Sequence, residues 1–298
     1  KGFKVNRKAG WDTHGLPVEL GVEKEMGITK EDIGKKISID DYNKACRESV
    51  MRYTDKWNDL TEKMGYWVDL KDPYITYTNK YIETVWWLLK QIFNKELMYK
   101  GYTIQPYSPA AGTGLSSHEV NLPGCYRDVK DTTIVAQFKV ISSEFKEKYN
   151  IEEDIHFVAW TTTPWTLPSN TALCVGPKIE YSLVHTFNQY TGKPIKVIIG
   201  KALINKQFSG KYSAVESLDE VLYNEENKKI PFFVGQTFLG KDLVGIRYEQ
   251  LIKGCIPYQE AENAFKVIQG DFVTTEDGTG IVHLAPAFGA DDRRVCQQ

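Results

Sequence analysis

The sequence predicts a mixed α and β chain in two parts: a helical segment to about residue 125, then an all-β part, a barrel or sandwich, from residue 126. Three observations carry this. Between Asp41 and Gly65 the apolar residues Cys46, Val50, Tyr53, Trp57, Leu60 and Met64 recur at alternating spacings of four and three, one face of an α-helix. After residue 126 short β-branched or aromatic runs, separated by Gly, Pro, Asn and Asp, replace that period. The 298 residues, 42% hydrophobic and 26% charged, are enough for one large or two ordinary domains with a buried core.

The helical part is read in order. ITKED (28–32) sets Thr29 three residues before Asp32, a cap-like start for a short helix. One long helix follows over 41–65, with Gly65 as its stop. Asn79 caps a second helix whose inner face carries Ile82, Val85, Trp86, Leu89, Ile92 and Phe93. The chain changes character near NLPGCYRD (121–128). Strands are then expected at TTIVAQFKV (132–140), IHFVAW (155–160), TALCV (171–175), IKVII (195–199), PFFVG (231–235), FKVIQ (265–269) and GIVHL (280–284). YNEENKK (223–229) reads as a solvated loop.

Charge excludes an easy nucleic-acid argument. The net charge is −2, so an anionic partner must meet a local patch. Five scattered cysteines without a CxxC pair argue against a zinc ribbon or a disulfide framework and suit a reducing cytoplasm. No signal peptide and no membrane-spanning apolar run is visible. The opening KGFKVNRKAG lacks Met, and DDRRVCQQ stops in helix-like sequence, so a piece of a longer protein is expected. The familiar catalytic signatures GxSxG, HExxH, the P-loop and GxGxxG are all missing.

Three stretches resist a purely structural reading. GWDTHGLPVE (10–19) holds Asp12 and His14 between glycines, though Gly, Asp and Pro also make ordinary turns. WTTTPWTLPSN (160–170) sets three threonines between two tryptophans, with Pro164 and Pro168 placed to end a strand. DGTGIVHLAPAFGADD (277–292) reads as a hairpin turn, a strand containing His283, and acidic residues at a helix start.

Taken together and in this order, the three stretches resemble the isoleucyl-tRNA synthetases. WTTTPWTLP is the most informative. The valyl- and leucyl-tRNA synthetases look similar but typically carry arginine at the position of Thr163. The resemblance implies a class I catalytic domain, a Rossmann-type fold, interrupted by a β-barrel editing domain. Residues 1–125 then correspond to part of the catalytic domain and the ramp into the insertion. Residues 126–298 correspond to the editing domain, truncated at its C-terminal end. The HIGH and KMSKS signatures are not present, so amino-acid activation, with its ATP and Mg, is expected only of the full-length synthetase.

The implied activity is hydrolysis of valine from a mischarged isoleucine tRNA, held by its acceptor end. No cofactor or metal is expected for it, no membrane is involved, and the setting is cytoplasmic. Thr161, Thr162 and Thr163 are expected to meet the terminal adenosine and the ester. Asp292 would hold the substrate ammonium group, with Asp291 as its less favoured neighbour. His283 would size the side-chain pocket, and Thr166 and Asn170 would lie at the site edge. Asp12 would contact the amino group of the amino acid in the separate synthetic site. PYSPAAGTG (106–114) replaces a cysteine-rich segment of many bacterial relatives, so no zinc is expected. CYRDVKD (125–131) points to a eukaryotic-type branch. AFG (287–289) replaces a GHG, so no role passes to that second histidine. A binding module without hydrolysis, or the same part of a valyl- or leucyl-tRNA synthetase, remains the alternative.

Overall fold

The computed structural model describes residues 2–224 and 228–297, so residues 225–227 of the charged loop YNEENKK lie outside the described residues. The chain divides into two compact units, Lys1–Leu122 and Pro123–Gln298.

In the first unit β1 (Lys8–Trp11) lies parallel to β2 (Asp69–Ile75). Parallel neighbours need a long crossover, and here it carries α1 (Leu16–Met26), α2 (Ile39–Met51) and α3 (Thr54–Lys63). The helical reading missed both strands, because β1 has four residues and β2 contains Pro73. The cap at Thr29 forms as expected: the Asp32 carboxylate accepts from the Thr29 N–H at 2.9 Å, ahead of a single 3-10 turn, Lys30–Asp32. The long helix over 41–65 is instead two. The Thr54 hydroxyl donates to the Met51 carbonyl at 3.0 Å, and Arg52 turns out to grip Glu25 with two 2.9 Å hydrogen bonds. The ladder breaks between Met51 and Thr54 despite an unbroken apolar period, where the local Thr54 bond takes up the Met51 carbonyl and Arg52 reaches Glu25, 27 residues earlier. Gly65 stops the second helix in the left-handed region at φ 70°, where glycine has no steric cost.

α4 (Asn79–Asn94) forms where expected, with Thr78 rather than Asn79 at the cap position. It buries none of its residues within this unit, and Trp86 is 70% exposed. Of the anticipated inner face, Ile82 and Val85 are half-buried, while Trp86, Leu89, Ile92 and Phe93 are exposed within this unit. A two-residue ribbon of β3 (Tyr107–Ser108) and β4 (Thr113–Gly114) follows.

The second unit holds β5 (Ile134–Lys139), α5 (Ser143–Lys148), β6 (Ile155–Thr161), β7 (Ala172–Val175), β8 (Glu180–Phe187), β9 (Pro194–Gly200), α6 (Ile204–Gln207), β10 (Tyr212–Ala214), β11 (Ile230–Leu239), α7 (Gly240–Leu243), β12 (Lys266–Gln269), β13 (Ile281–Leu284) and α8 (Ala290–Cys296). Six strands form one sheet in the order β10-β11-β8-β9-β6-β5, and three form another in the order β12-β7-β13. Residues 245–249 join them. Tyr248 bridges to Val140 beyond β5, and Arg247 bridges to Lys266 of β12.

The expected barrel does not close. Closure needs a ladder between the outer edges of β10 and β13, and the described residues show none. Gly278 and Gly280, both at positive φ, turn the chain sharply just before β13. The expected hairpin into β13 is likewise absent, because β12 and β13 both pair with β7 and not with each other.

The main core lies between the two sheets and includes Phe138, Phe157, Leu173, Val175, Tyr181, Ile198, Tyr248 and Ile281. β7 is buried at all four positions because it is covered on both faces. Leu173 and Val175 face that core, while Ala172 and Cys174 pack with Leu284 and with Val295 of α8. Continuous apolar runs such as TALCV are the sequence mark of such a two-sided strand. The antiparallel register sets His283 opposite Leu173 and Ile281 opposite Val175, so His283 stands on the inner face.

Candidate functional site

β6 ends at Thr161, and the two prolines explain why. Pro164 and Pro168 cannot donate to a ladder, and the chain instead makes a 3-10 helix over Pro164–Ser169. This leaves a cluster of hydroxyls at a strand end. Thr163 N–H donates to Thr161 Oγ1 at 3.0 Å, and the Thr166 hydroxyl donates to the Thr163 carbonyl at 2.8 Å.

The turn before β13 closes over this cluster. Trp160 N–H donates to Thr279 Oγ1 at 3.2 Å, and Gly200 N–H donates to the Thr279 carbonyl at 2.8 Å. The buried Tyr181 hydroxyl donates to the Gly280 carbonyl at 2.7 Å and accepts from Gly176 N–H at 2.9 Å. Gly278 is glycine for two reasons: its φ is 75°, and a Cβ there would sit 2.9 Å from the Trp160 ring.

Between these elements lies a cavity of about 520 Å³. Thr161, Thr162, Thr163, Thr166, His283 and Asp292 all line it. His283 is 7% exposed and fully bonded. Its Nε2 lies 2.9 Å from Thr166 Oγ1 and its Nδ1 lies 2.9 Å from Asn170 Nδ2. The Asn170 amide also donates to the Ala172 carbonyl at 3.0 Å, and its Oδ1 accepts from the Tyr248 hydroxyl at 2.7 Å. These partners leave one consistent assignment. Nδ1 accepts, Nε2–H donates to Thr166, and the imidazole is neutral. Burial pushes its pKa down to about 4.

Asp292 reaches the cavity from the first turn of α8. Its Oδ2 accepts from Ala285 N–H at 2.8 Å, and its carboxyl pKa is raised, chiefly by burial. Gly289 permits the approach, since a Cβ there would lie 2.6 Å from Asp292 Oδ1.

Two expected site residues stand elsewhere in this unit. Asp291 does not line the cavity: it is exposed and pairs with Arg294 at 3.1 Å, which also holds Asp271 at 2.8 Å. One residue further along a helix turns a side chain by about 100°, which sends the two adjacent carboxylates to different faces. Asn170 is not at the site edge. It is 3% exposed and stands behind His283, where its short amide satisfies a buried ring nitrogen. Asp12 belongs to the first unit. It is exposed at the end of β1, beside His14, whose Nδ1 lies 3.2 Å from Thr76 Oγ1. The outer end of parallel strands is where open α/β sheets bind ligands.

Sequence reasoning missed several lining residues. Trp165 and Phe288, 60% and 57% exposed, line the cavity, and Phe272, Thr274, Asp277 and Thr279 add to its wall. Exposed aromatics inside the two motifs were the available signal. Tyr248 had none. Among the described residues no group of three or more His, Cys, Asp or Glu is placed to hold a metal ion, and no helix is long and apolar enough to cross a membrane.

The cavity holds no side-chain nucleophile paired with a free base, since both His283 nitrogens are engaged. It offers hydroxyls, turn amides, the Asp292 carboxylate fixed by Ala285 N–H, a second carboxylate, Asp277, already paired with Lys206, and the neutral His283 wall, which suits a water-mediated reaction on a polar substrate carrying a cation. The family model for class I tRNA synthetases (I, L, M and V) matches residues 1–252, and the chain belongs to that family.

Within it, the chain is 63% identical over its whole length to the isoleucine--tRNA ligase of Porphyromonas gingivalis and covers 26% of that protein. It is also 63% identical to that of Bacteroides fragilis, covering 25% of it, and over 99% of the chain it is 46% identical to that of Clostridium acetobutylicum, covering 24%. The chain therefore spans about a quarter of the length of these relatives. They are bacterial, so the eukaryotic-type branch expected from CYRDVKD is not supported. Among solved structures, the editing domain of the P. knowlesi cytosolic leucyl-tRNA synthetase aligns with a TM-score of 0.38 at 18% identity, over 54% of this chain and 60% of that one. That likeness is too slight to argue from.

Proposed function

We propose that the second unit edits mischarged isoleucine tRNA by hydrolysing the ester of valine with the terminal ribose. The observation that carries this reading is the pairing, in one cavity, of a fixed carboxylate with a neutral, fully bonded histidine wall. The close likeness of the whole chain to bacterial isoleucine--tRNA ligases supplies the substrate class.

An aminoacyl ester is already activated, and its ammonium group withdraws electrons from the carbonyl. The site need only position a water, hold the ribose and the ammonium, and stabilise the oxyanion. Asp292 takes the ammonium group through a charge-assisted hydrogen bond. Thr161, Thr162 and Thr163 meet the terminal adenosine and the ester. The water adds to the ester carbonyl, and collapse of the tetrahedral intermediate releases valine and the free ribose hydroxyl. His283 presents a packed wall that admits valine and clashes with the extra methylene of isoleucine. A synthetic site alone gains little from that methylene, roughly 1–3 kcal/mol, isoleucine against valine being the familiar case. A second site that rejects by overlap reverses the preference.

ATP and Mg belong, on this reading, to amino-acid activation by a full-length synthetase, in which Asp12 contacts the amino group. A cytoplasmic setting follows from the same assignment. The test is to incubate the chain with valine-charged and isoleucine-charged isoleucine tRNA side by side. Free valine should be released well above the spontaneous rate while the isoleucine ester persists. No release above that rate would leave only a binding module for the acceptor end.

A further inference from the structure

Tyr248 lies on the 245–249 segment that joins the two sheets. It is 1% exposed, and its ring meets Phe138 edge-on at 5.3 Å. Neither a motif nor the cavity lining includes it. Its hydroxyl nevertheless begins a directional series of hydrogen bonds that ends in the cavity wall. Tyr248 donates to Asn170 Oδ1 at 2.7 Å, Asn170 Nδ2 donates to His283 Nδ1 at 2.9 Å, and His283 Nε2–H donates to Thr166 Oγ1 at 2.9 Å. The Thr166 hydroxyl then donates to the Thr163 carbonyl at 2.8 Å. Every member is buried until Thr163, and outside the series the Asn170 amide has the Ala172 carbonyl as a further partner at 3.0 Å.

We infer that Tyr248 is a positioning residue for specificity: its hydroxyl fixes the Asn170 amide, and thereby holds His283 in one tautomer and one ring orientation against the side-chain pocket. The inference rests on the proposed editing reading only for its consequence, discrimination, and not for the hydrogen-bond series itself. Without the hydroxyl, Asn170 Oδ1 loses a buried donor, and the amide is held only by the Ala172 carbonyl and the ring it is meant to orient. The His283 ring then samples other orientations, and a wall that moves rejects a methylene poorly.

The experiment compares the chain with its Tyr248→Phe and Phe138→Leu variants. The second perturbs packing against the same ring but removes no polar group. Long-range proton–nitrogen spectra of histidine-labelled protein report the His283 tautomer. The native chain should show the Nε2–H form alone, Tyr248→Phe a mixture, and Phe138→Leu the native pattern. In deacylation, Tyr248→Phe should narrow the valine-to-isoleucine rate ratio by about three- to tenfold, the scale of one buried hydrogen bond. A native tautomer pattern in Tyr248→Phe, an equal shift in Phe138→Leu, or an unchanged rate ratio each overturns the inference. If the native chain releases no valine, the editing reading fails, while the spectra still decide whether Tyr248 holds His283.

Discussion

Replacing His283 by alanine tests the sizing wall directly. The ring is 7% exposed and stands against Thr166 and Asn170, so its removal opens space at the cavity side of β13. Forcing an extra methylene against a packed wall costs about 1–3 kcal/mol. Relief of that clash at about 1.36 kcal/mol per decade raises hydrolysis of the isoleucine ester by roughly 5- to 160-fold. The valine ester already fits, and His283 has no free nitrogen to act as a base, so valine release should stay within about threefold of native. The fold should survive. Thr166 keeps its bond to the Thr163 carbonyl, and only one Asn170 N–H loses its acceptor, a cost of about 1–3 kcal/mol, lessened if water enters from the cavity. The assay is release of labelled valine and isoleucine from charged isoleucine tRNA, with a thermal melt to confirm folding. A folded His283→Ala chain that still spares the isoleucine ester and clears the valine ester normally would refute the reasoning.

Four further outcomes are expected. Asp292→Asn removes the charge meant for the ammonium group and should lower deacylation by about 10- to 150-fold, from the roughly 1.5–3 kcal/mol of a charge-assisted bond, with little change in the melting temperature. Because burial raises the Asp292 pKa, native deacylation should also fail at a higher pH than an ordinary aspartate would allow, as a rate–pH profile will show. His283 links stability to pH. Its folded pKa is lowered to about 4 from 6.5, so its contribution is complete above about 6.5 and is lost as pH falls toward 4, by an amount on the order of 2–3 kcal/mol. Urea midpoints at pH 7 and pH 4.5 should differ less in His283→Ala than in the native chain, and an equal difference would contradict the burial of a neutral ring. Tyr181→Phe strips the partner from both Gly176 N–H and the Gly280 carbonyl, and should cost about 1–3 kcal/mol in chemical denaturation.

Much of the local structure was legible in the residues alone. The capping pair Thr29 and Asp32, the stop at Gly65, the helix starting near Asn79 and the strands around Phe157, Leu173 and Val197 each follow from neighbours within a few positions. Strand β8, EYSLVHTF, went unread, since its polar residues Ser182 and Thr186 disguise a strand that is buried at five of its eight positions. Its hydroxyls are satisfied only across the sheet: Thr186 donates to the Pro231 carbonyl and Ser182 bonds Thr237. The break between α2 and α3 was hidden for a similar reason. Periodicity records which face is apolar, and cannot register that Arg52 finds Glu25, 27 residues earlier.

The sequence by itself determined the short-range elements and the order of the three motifs, whose residues Thr161, Thr162, Thr163, Thr166, His283 and Asp292 border one cavity. Only the tertiary structure decided the state of His283, the placement of Asn170 behind it, the outward turn of Asp291, and the open edge of the sheets. The physical reason is separation along the chain. His283 meets Asn170 and Thr166 across 113 and 117 positions, and Tyr248 meets Asn170 across 78. Contacts that distant leave no period in the sequence. They arise when β7, β13 and the 245–249 segment pack together and leave buried polar groups with a single way to satisfy one another.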